Sequence, residues 1–192
     1  MSILVLGLIL FLGVHSLRIV AEDWRGKQIA RLGELPYKGL YAIASLAGLG
    51  LVVWGYGLAR AAPIELWNPP SWMRHLAALF ALAAFVLVAA AYVPRNRVKA
   101  ALGHPMILGV KVWALGHLLA NGTLADLLLF GGFLAWAVFD YRAALMRDRA
   151  SGRRGAQGTL AGDAATIALG SIAWVAFAFY LHAWLIGVPA FG

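Results

Sequence analysis

The chain of 192 residues contains no cysteine. That absence removes disulfides, iron–sulfur clusters, thiolate ligation of haem, covalent c-type haem and cysteine nucleophiles together. Charge is scarce as well, at 12% of residues, where a soluble domain carries about a quarter. Acidic residues are the scarcer sign, eight against sixteen basic, and the formal net charge is +8. Internal repeats are missing, and so are matched pairs of Gly- or Pro-broken helices, the usual pointer to a transporter. What remains is apolar, 62% of the chain, and it arrives in long blocks.

Six blocks stand out: Ser2–Val20, Gly39–Ala59, Leu76–Val93, Met106–Ala120, Leu124–Val138 and Ala164–Gly187. Each reads as a membrane-spanning helix. The expected fold is all-α, a polytopic bundle of about six transmembrane helices forming one domain over residues 1–192, with no soluble domain left over. The first block lacks a basic n-region, and no small-residue cleavage site precedes Glu22-Asp23, so it is expected to stay as a helix.

The basic residues alternate between connections. Arg18, Arg25, Lys27, Arg31 and Lys38 follow the first block; Arg95, Arg97 and Lys99 the third; Arg142, Arg147, Arg149, Arg153 and Arg154 the fifth. These hold thirteen of the sixteen Lys and Arg residues, which by the positive-inside rule puts both termini on the outer side. The positive balance is thus a topology signal. Dispersed flanking charges do not form a nucleic-acid surface, and the partner expected from composition is the lipid bilayer. Trp67 and Trp72 at the loop PIELWNPP, and Tyr37, Tyr41, Tyr92 and Tyr141 near inner helix ends, suit the two interfacial belts. Asn121-Gly122 reads as a tight outer turn, and MRDRASGRRGAQG as a mobile polar loop.

Without cysteine, any metal chemistry falls to His15, His75, His104, His117 and His182, carboxylates or methionine. At about 1.5 Å per residue, His15 lies roughly 8 Å in from the inner edge of its helix, and His117 about 20 Å beyond His104 along one axis. Depth groups His15 with His104, and His75 with His117 and His182 on the outer side. On the fourth helix, His104 and Lys111 fall within roughly 20° of each other, while His117 points about 140° away. Trp113, His117 and Asn121 form an i, i+4 stripe, and Gly109 and Gly116 share a face that lets a neighbouring helix approach. A structural reading stands beside the functional one. His104 before Pro105 suits a helix start, Arg18 a snorkelling arginine at the inner edge, and the Trp113, Trp136 and Trp174 set helix packing. Lys111, deeper in, calls for an anionic partner: Asp140, Glu22 or a cofactor group. A neutral imidazole ligates haem iron, and an arginine or lysine pairs with a propionate. Two histidines from different helices would make a six-coordinate haem b site.

The stretches FLGVHSLR and HPMILGVKVWALGHLLANG, the latter running into LLLFGGFLAWAV, resemble the NnrU family of bacterial membrane proteins over essentially the whole chain. That family is associated with denitrification, where it is required for nitrite and nitric oxide reductase production or activity. It is related to the 15-cis-zeta-carotene isomerases of plants and cyanobacteria, in which haem b is held by histidines matching His15 and His117. The resemblance therefore implies haem b ligated by His15 and His117, with Arg18 or Lys111 near a propionate and His104 as a further candidate, in a multi-pass protein of the bacterial inner membrane with periplasmic termini.

Several positions depart from these relatives. Ala114 stands where the isomerases have a cysteine proposed as an alternative ligand, and Gly103 replaces the arginine before the HP pair. Thr123 stands where many NnrU proteins have an acidic residue, with Asp126 one helical turn later. HPMILG also resembles the element by which membrane methyltransferases hold S-adenosylmethionine, but Ile107 occupies the tyrosine place and the following segment is mainly arginine. Three functions follow. The first is a haem protein supporting denitrification enzymes. The second is a haem-dependent cis–trans isomerase of an apolar, carotenoid-like polyene. The third is a cofactor-free assembly or transport helper.

Overall fold

The computed structural model describes residues 1–152 and 157–191, and among them the regular structure is helical, without strands. Helices α1 (Ser2–Val20), α2 (Glu22–Leu32), α3 (Glu34–Ala61), α4 (Met73–Tyr92), α5 (Arg97–Leu102), α6 (Pro105–Ala120), α7 (Leu124–Ala150), α8 (Leu160–Ala176) and α9 (His182–Ile186) follow in order. A five-residue π-helical turn, Phe177–Leu181, joins α8 to α9. Five segments are long and apolar enough to cross a membrane: α1, α3, α4, α7 and the run Leu160–Ile186. Helix α6 is apolar but has only 16 residues, about 24 Å, less than the ~30 Å hydrocarbon core. An all-α multi-pass membrane architecture results.

The charged connections are more ordered than their composition suggests. The segment after α1 forms α2, with Glu22 and Asp23 in its first turn and Arg31 in its last, each sign on the favourable end of the helix dipole. Gly33, at φ +88°, ends it in a backbone region that residues with a Cβ avoid. Helix α7 runs twelve residues beyond Val138 to Ala150, because Ala, Leu, Met and Arg favour helix wherever they sit. Met146–Ala150, expected in a polar loop, is therefore helical. Arg153 and Arg154, and with them the middle of that loop, lie outside the described residues.

The chain divides into two compact units, Met1–Trp67 with Gly122–Asp140, and Asn68–Asn121 with Tyr141–Gly192. In the first, α1 crosses α3 on glycine. A Cβ at Gly7 would meet Val52 N at 2.5 Å, one at Gly48 would meet Phe11 N at 2.8 Å, and one at Gly55 would overlap the Leu4 backbone. In the second, α4 is flanked by α6 and α8. Gly109 and Gly116 face Ala84 and Phe80 as the shared face on α6 suggests, and Gly170 of α8 lies on Val86. Small residues dominate the interior, including Ala78, Ala84, Ala89, Ala90 and Ala114, while Ile9, Ile43, Leu79, Ile172 and Phe179 face outward. This is the pattern of helices that associate by backbone proximity while lipid solvates their larger side chains.

A clasp in the second unit closes the α4–α5 connection. Asn96, 2% exposed, donates to the carbonyls of Ala90 (2.9 Å) and Val93 (2.6 Å) and accepts from Lys99 N at 2.6 Å as the N-cap of α5. Arg97 N donates to Asp163 at 2.6 Å and Thr159 N to Arg95 O at 2.8 Å, tying the connection to the start of α8. Asn96→Ala is expected to cost about 2 kcal/mol, the upper range for a lost cap. The check is a lowered thermal midpoint of the detergent-solubilised chain, alongside an unchanged midpoint for Lys27→Ala on the exposed surface.

Candidate functional site

In the first unit, His15 lies three-quarters of the way along α1. Its Nδ1–H donates to the Phe11 carbonyl at 2.7 Å, one turn back. Since a carbonyl only accepts, Nδ1 carries a proton, which leaves Nε2 as the ring nitrogen that can offer a lone pair to a metal. Three aromatic rings surround it: Phe11 at 4.3 Å between centroids, Tyr41 of α3 at 5.3 Å and Trp136 of α7 at 6.0 Å, edge-on. The Trp136 indole N–H is buried and has no acceptor, an uncommon state for a buried donor. Arg18, one turn further on, is exposed and lies 3.9 Å from Glu22.

In the second unit, His117 repeats the local arrangement of His15. Its Nδ1–H donates to the Trp113 carbonyl at 2.9 Å, and the Trp113 ring lies at 5.2 Å. Asn121 Nδ2 donates to the His117 carbonyl at 2.8 Å, completing the i, i+4 stripe. His104 is held in the opposite sense. It is the N-cap residue of α6, but its side chain does not cap the helix; Nε2 lies 2.8 Å from Asp148 Oδ2. The Tyr141 ring stands edge-on to His104 at 6.5 Å, and its hydroxyl donates to the Leu102 carbonyl at 3.1 Å. Lys111 places Nζ 5.1 Å from the centroid of the same Tyr141 ring. The closeness of His104 and Lys111 on one side of α6 is thus realised around Tyr141. The contact found for Lys111 is an aromatic face; neither Asp140 nor Glu22 forms an ion pair with it.

A family model described as NnrU protein matches residues 3–190. The chain belongs to the NnrU family. Neither the curated proteins nor the solved structures give a match.

Of the residues that resemblance to NnrU proteins singles out, His15 and Arg18 fall in the first unit, and His104, Lys111 and His117 in the second. Among the described residues, no group of three or more His, Cys, Asp or Glu side chains could hold a metal ion by itself. His182 donates from Nδ1 to the Val188 carbonyl at 2.6 Å, and exposed His75 lies 6.3 Å from the Phe191 ring.

Thr123 and Asp126, singled out at the start of the fifth apolar block, form a local network. The two bond reciprocally: Thr123 N donates to Oδ2 at 3.0 Å, and Asp126 N donates to Thr123 Oγ1 at 3.2 Å. This is a capping box at the start of α7. Thr123 Oγ1 also donates to Oδ2 at 2.7 Å, and Tyr56 of α3 donates to Oδ1 at 2.6 Å. Asp126 is 5% exposed, a buried carboxylate with both oxygens engaged. The T-x-x-D spacing was the available signal for half of this network. Tyr56, seventy positions away, had none.

Proposed function

We propose that this NnrU-family chain binds haem b, with His15 and His117 as the residues that would hold it, and supports the production or activity of nitrite and nitric oxide reductases. One observation carries the ligand assignment. Both histidines donate Nδ1–H to the carbonyl four residues back, the outer-shell bond that fixes tautomer and ring orientation in metal-ligating histidines. His104 commits Nε2 to Asp148, so it fits a structural role better than His117 does. The unsatisfied Trp136 N–H beside His15 also suits a bound group carrying an acceptor oxygen. When bound, haem would supply one-electron chemistry; the protein's own residues orient each imidazole through the bond from Nδ1–H to the carbonyl one turn back.

The test is the visible spectrum of the purified chain, oxidised and then reduced with dithionite. The expected result is a Soret band that sharpens and shifts on reduction, with the split bands of low-spin bis-histidine haem. His15→Ala and His117→Ala should each lose most of the bound haem, and His182→Ala should keep it. A full haem complement in both of the first two variants would reject the pairing. Loss of nitrite reductase activity in a deletion strain tests the physiological half separately.

A further inference from the structure

We propose that Lys111 and the face of Tyr141 form a seat for the phosphate group of an anionic lipid. Lys111 lies six residues after Pro105 on an apolar helix, about 9 Å from its start along the axis. Its side chain is half-buried, and no carboxylate among the described residues lies within ion-pair distance of Nζ. An ammonium in such surroundings needs a counter-charge, and an aromatic quadrupole meets only part of that need. Asp148, the carboxylate of this cluster, takes His104 at 2.8 Å. Two other cations of this unit are differently engaged: Arg97 lies 3.6 Å from Asp163, and Lys99 Nζ donates to the Ala91 carbonyl at 2.7 Å.

The seat is built and held. Tyr141 is anchored through its hydroxyl to Leu102 and flanked edge-on by His104, so its face stays toward Lys111. In a bilayer, the anions that meet a lysine reaching from an apolar helix toward the interface are lipid phosphates. A net negative headgroup satisfies Lys111, whereas a zwitterionic one brings its own ammonium into the same place.

Native mass spectrometry of the full chain in detergent tests this, with phosphatidylglycerol, phosphatidylcholine and inorganic phosphate as separate probes. Wild type should retain phosphatidylglycerol at least about five-fold better than phosphatidylcholine, the range of a single favourable charge contact at a membrane surface. Lys111→Gln should erase that preference, Lys111→Arg should restore most of it, and Lys99→Gln should leave it unchanged. Equal retention of both lipids by wild type, or an undiminished preference in Lys111→Gln, overturns the proposal. Displacement of lipid by millimolar inorganic phosphate would assign the seat to a free oxyanion and overturn the lipid reading. Loss of haem absorbance from Lys111→Gln with its lipid preference intact would give the lysine to a propionate, again overturning it. If Lys111→Gln fails to fold, Lys111→Arg and Lys99→Gln decide by the same comparison.

Discussion

Asp126→Ala is expected to lower the stability of the folded chain by about 3 kcal/mol, because the substitution strands three partly buried donors at once. Tyr56 OH, Thr123 N and Thr123 Oγ1 all donate to this carboxylate, and at 5% exposure water cannot replace it. Tyr56→Phe removes only one of these bonds and should cost about 1–2 kcal/mol, the range for a hydrogen bond to a charged group. The double variant should cost less than the two singles together, with a coupling of about 1 kcal/mol, because each single change breaks the same bond. Denaturant titration of the four proteins in one detergent measures all three quantities. A melting profile for Asp126→Ala that overlays wild type would show that the carboxylate does not support the α3–α7 contact.

The second large effect is expected at Gly55. In an exposed helix interior, Gly→Ala is stabilising by about 0.5–1 kcal/mol, because alanine loses less backbone entropy. At Gly55 the sign should reverse. The added Cβ would overlap backbone atoms of Leu4 and Ile3, which no rotamer change relieves, and overpacking of that kind costs about 3 kcal/mol. Gly50 on the same helix supplies the control, since a Cβ there meets nothing within 4 Å. Gly50→Ala should be neutral or slightly stabilising and Gly55→Ala strongly destabilising; equal midpoints for the two would refute the close α1–α3 crossing.

The sequence reading succeeded where structure depends on period and composition. The apolar blocks became helices, the glycine face of α6 met a neighbour, and Trp113, His117 and Asn121 stacked through i, i+4 bonds. It fell short where the deciding term is helix propensity in polar stretches, as in α2 and the last turns of α7. Long-range pairing was equally hidden. Nothing local to Tyr56 announces Asp126, and nothing local to Asn96 announces Thr159 and Asp163 on the next helix but two. Lys111 illustrates a third case: its need for a counter-charge was legible from depth alone, but the aromatic face that meets it depends on α7 continuing as helix past Val138.

The first unit is discontinuous in the chain: α1 and α3 belong to Met1–Trp67, while the part of α7 that completes it belongs to Gly122–Asp140. Synthesis proceeds at about 5–20 residues per second, so the nascent α1–α3 hairpin waits on the order of seconds for Asp126 to be made. During that interval Tyr56 has no carboxylate to accept its hydroxyl hydrogen bond, and the hairpin relies on what its own two helices provide. The glycines at positions 7, 48 and 55 supply it: they let two backbones touch without help from any later segment. The crossing is therefore a device of biosynthesis as well as of stability, keeping an unfinished protein paired until its third helix arrives.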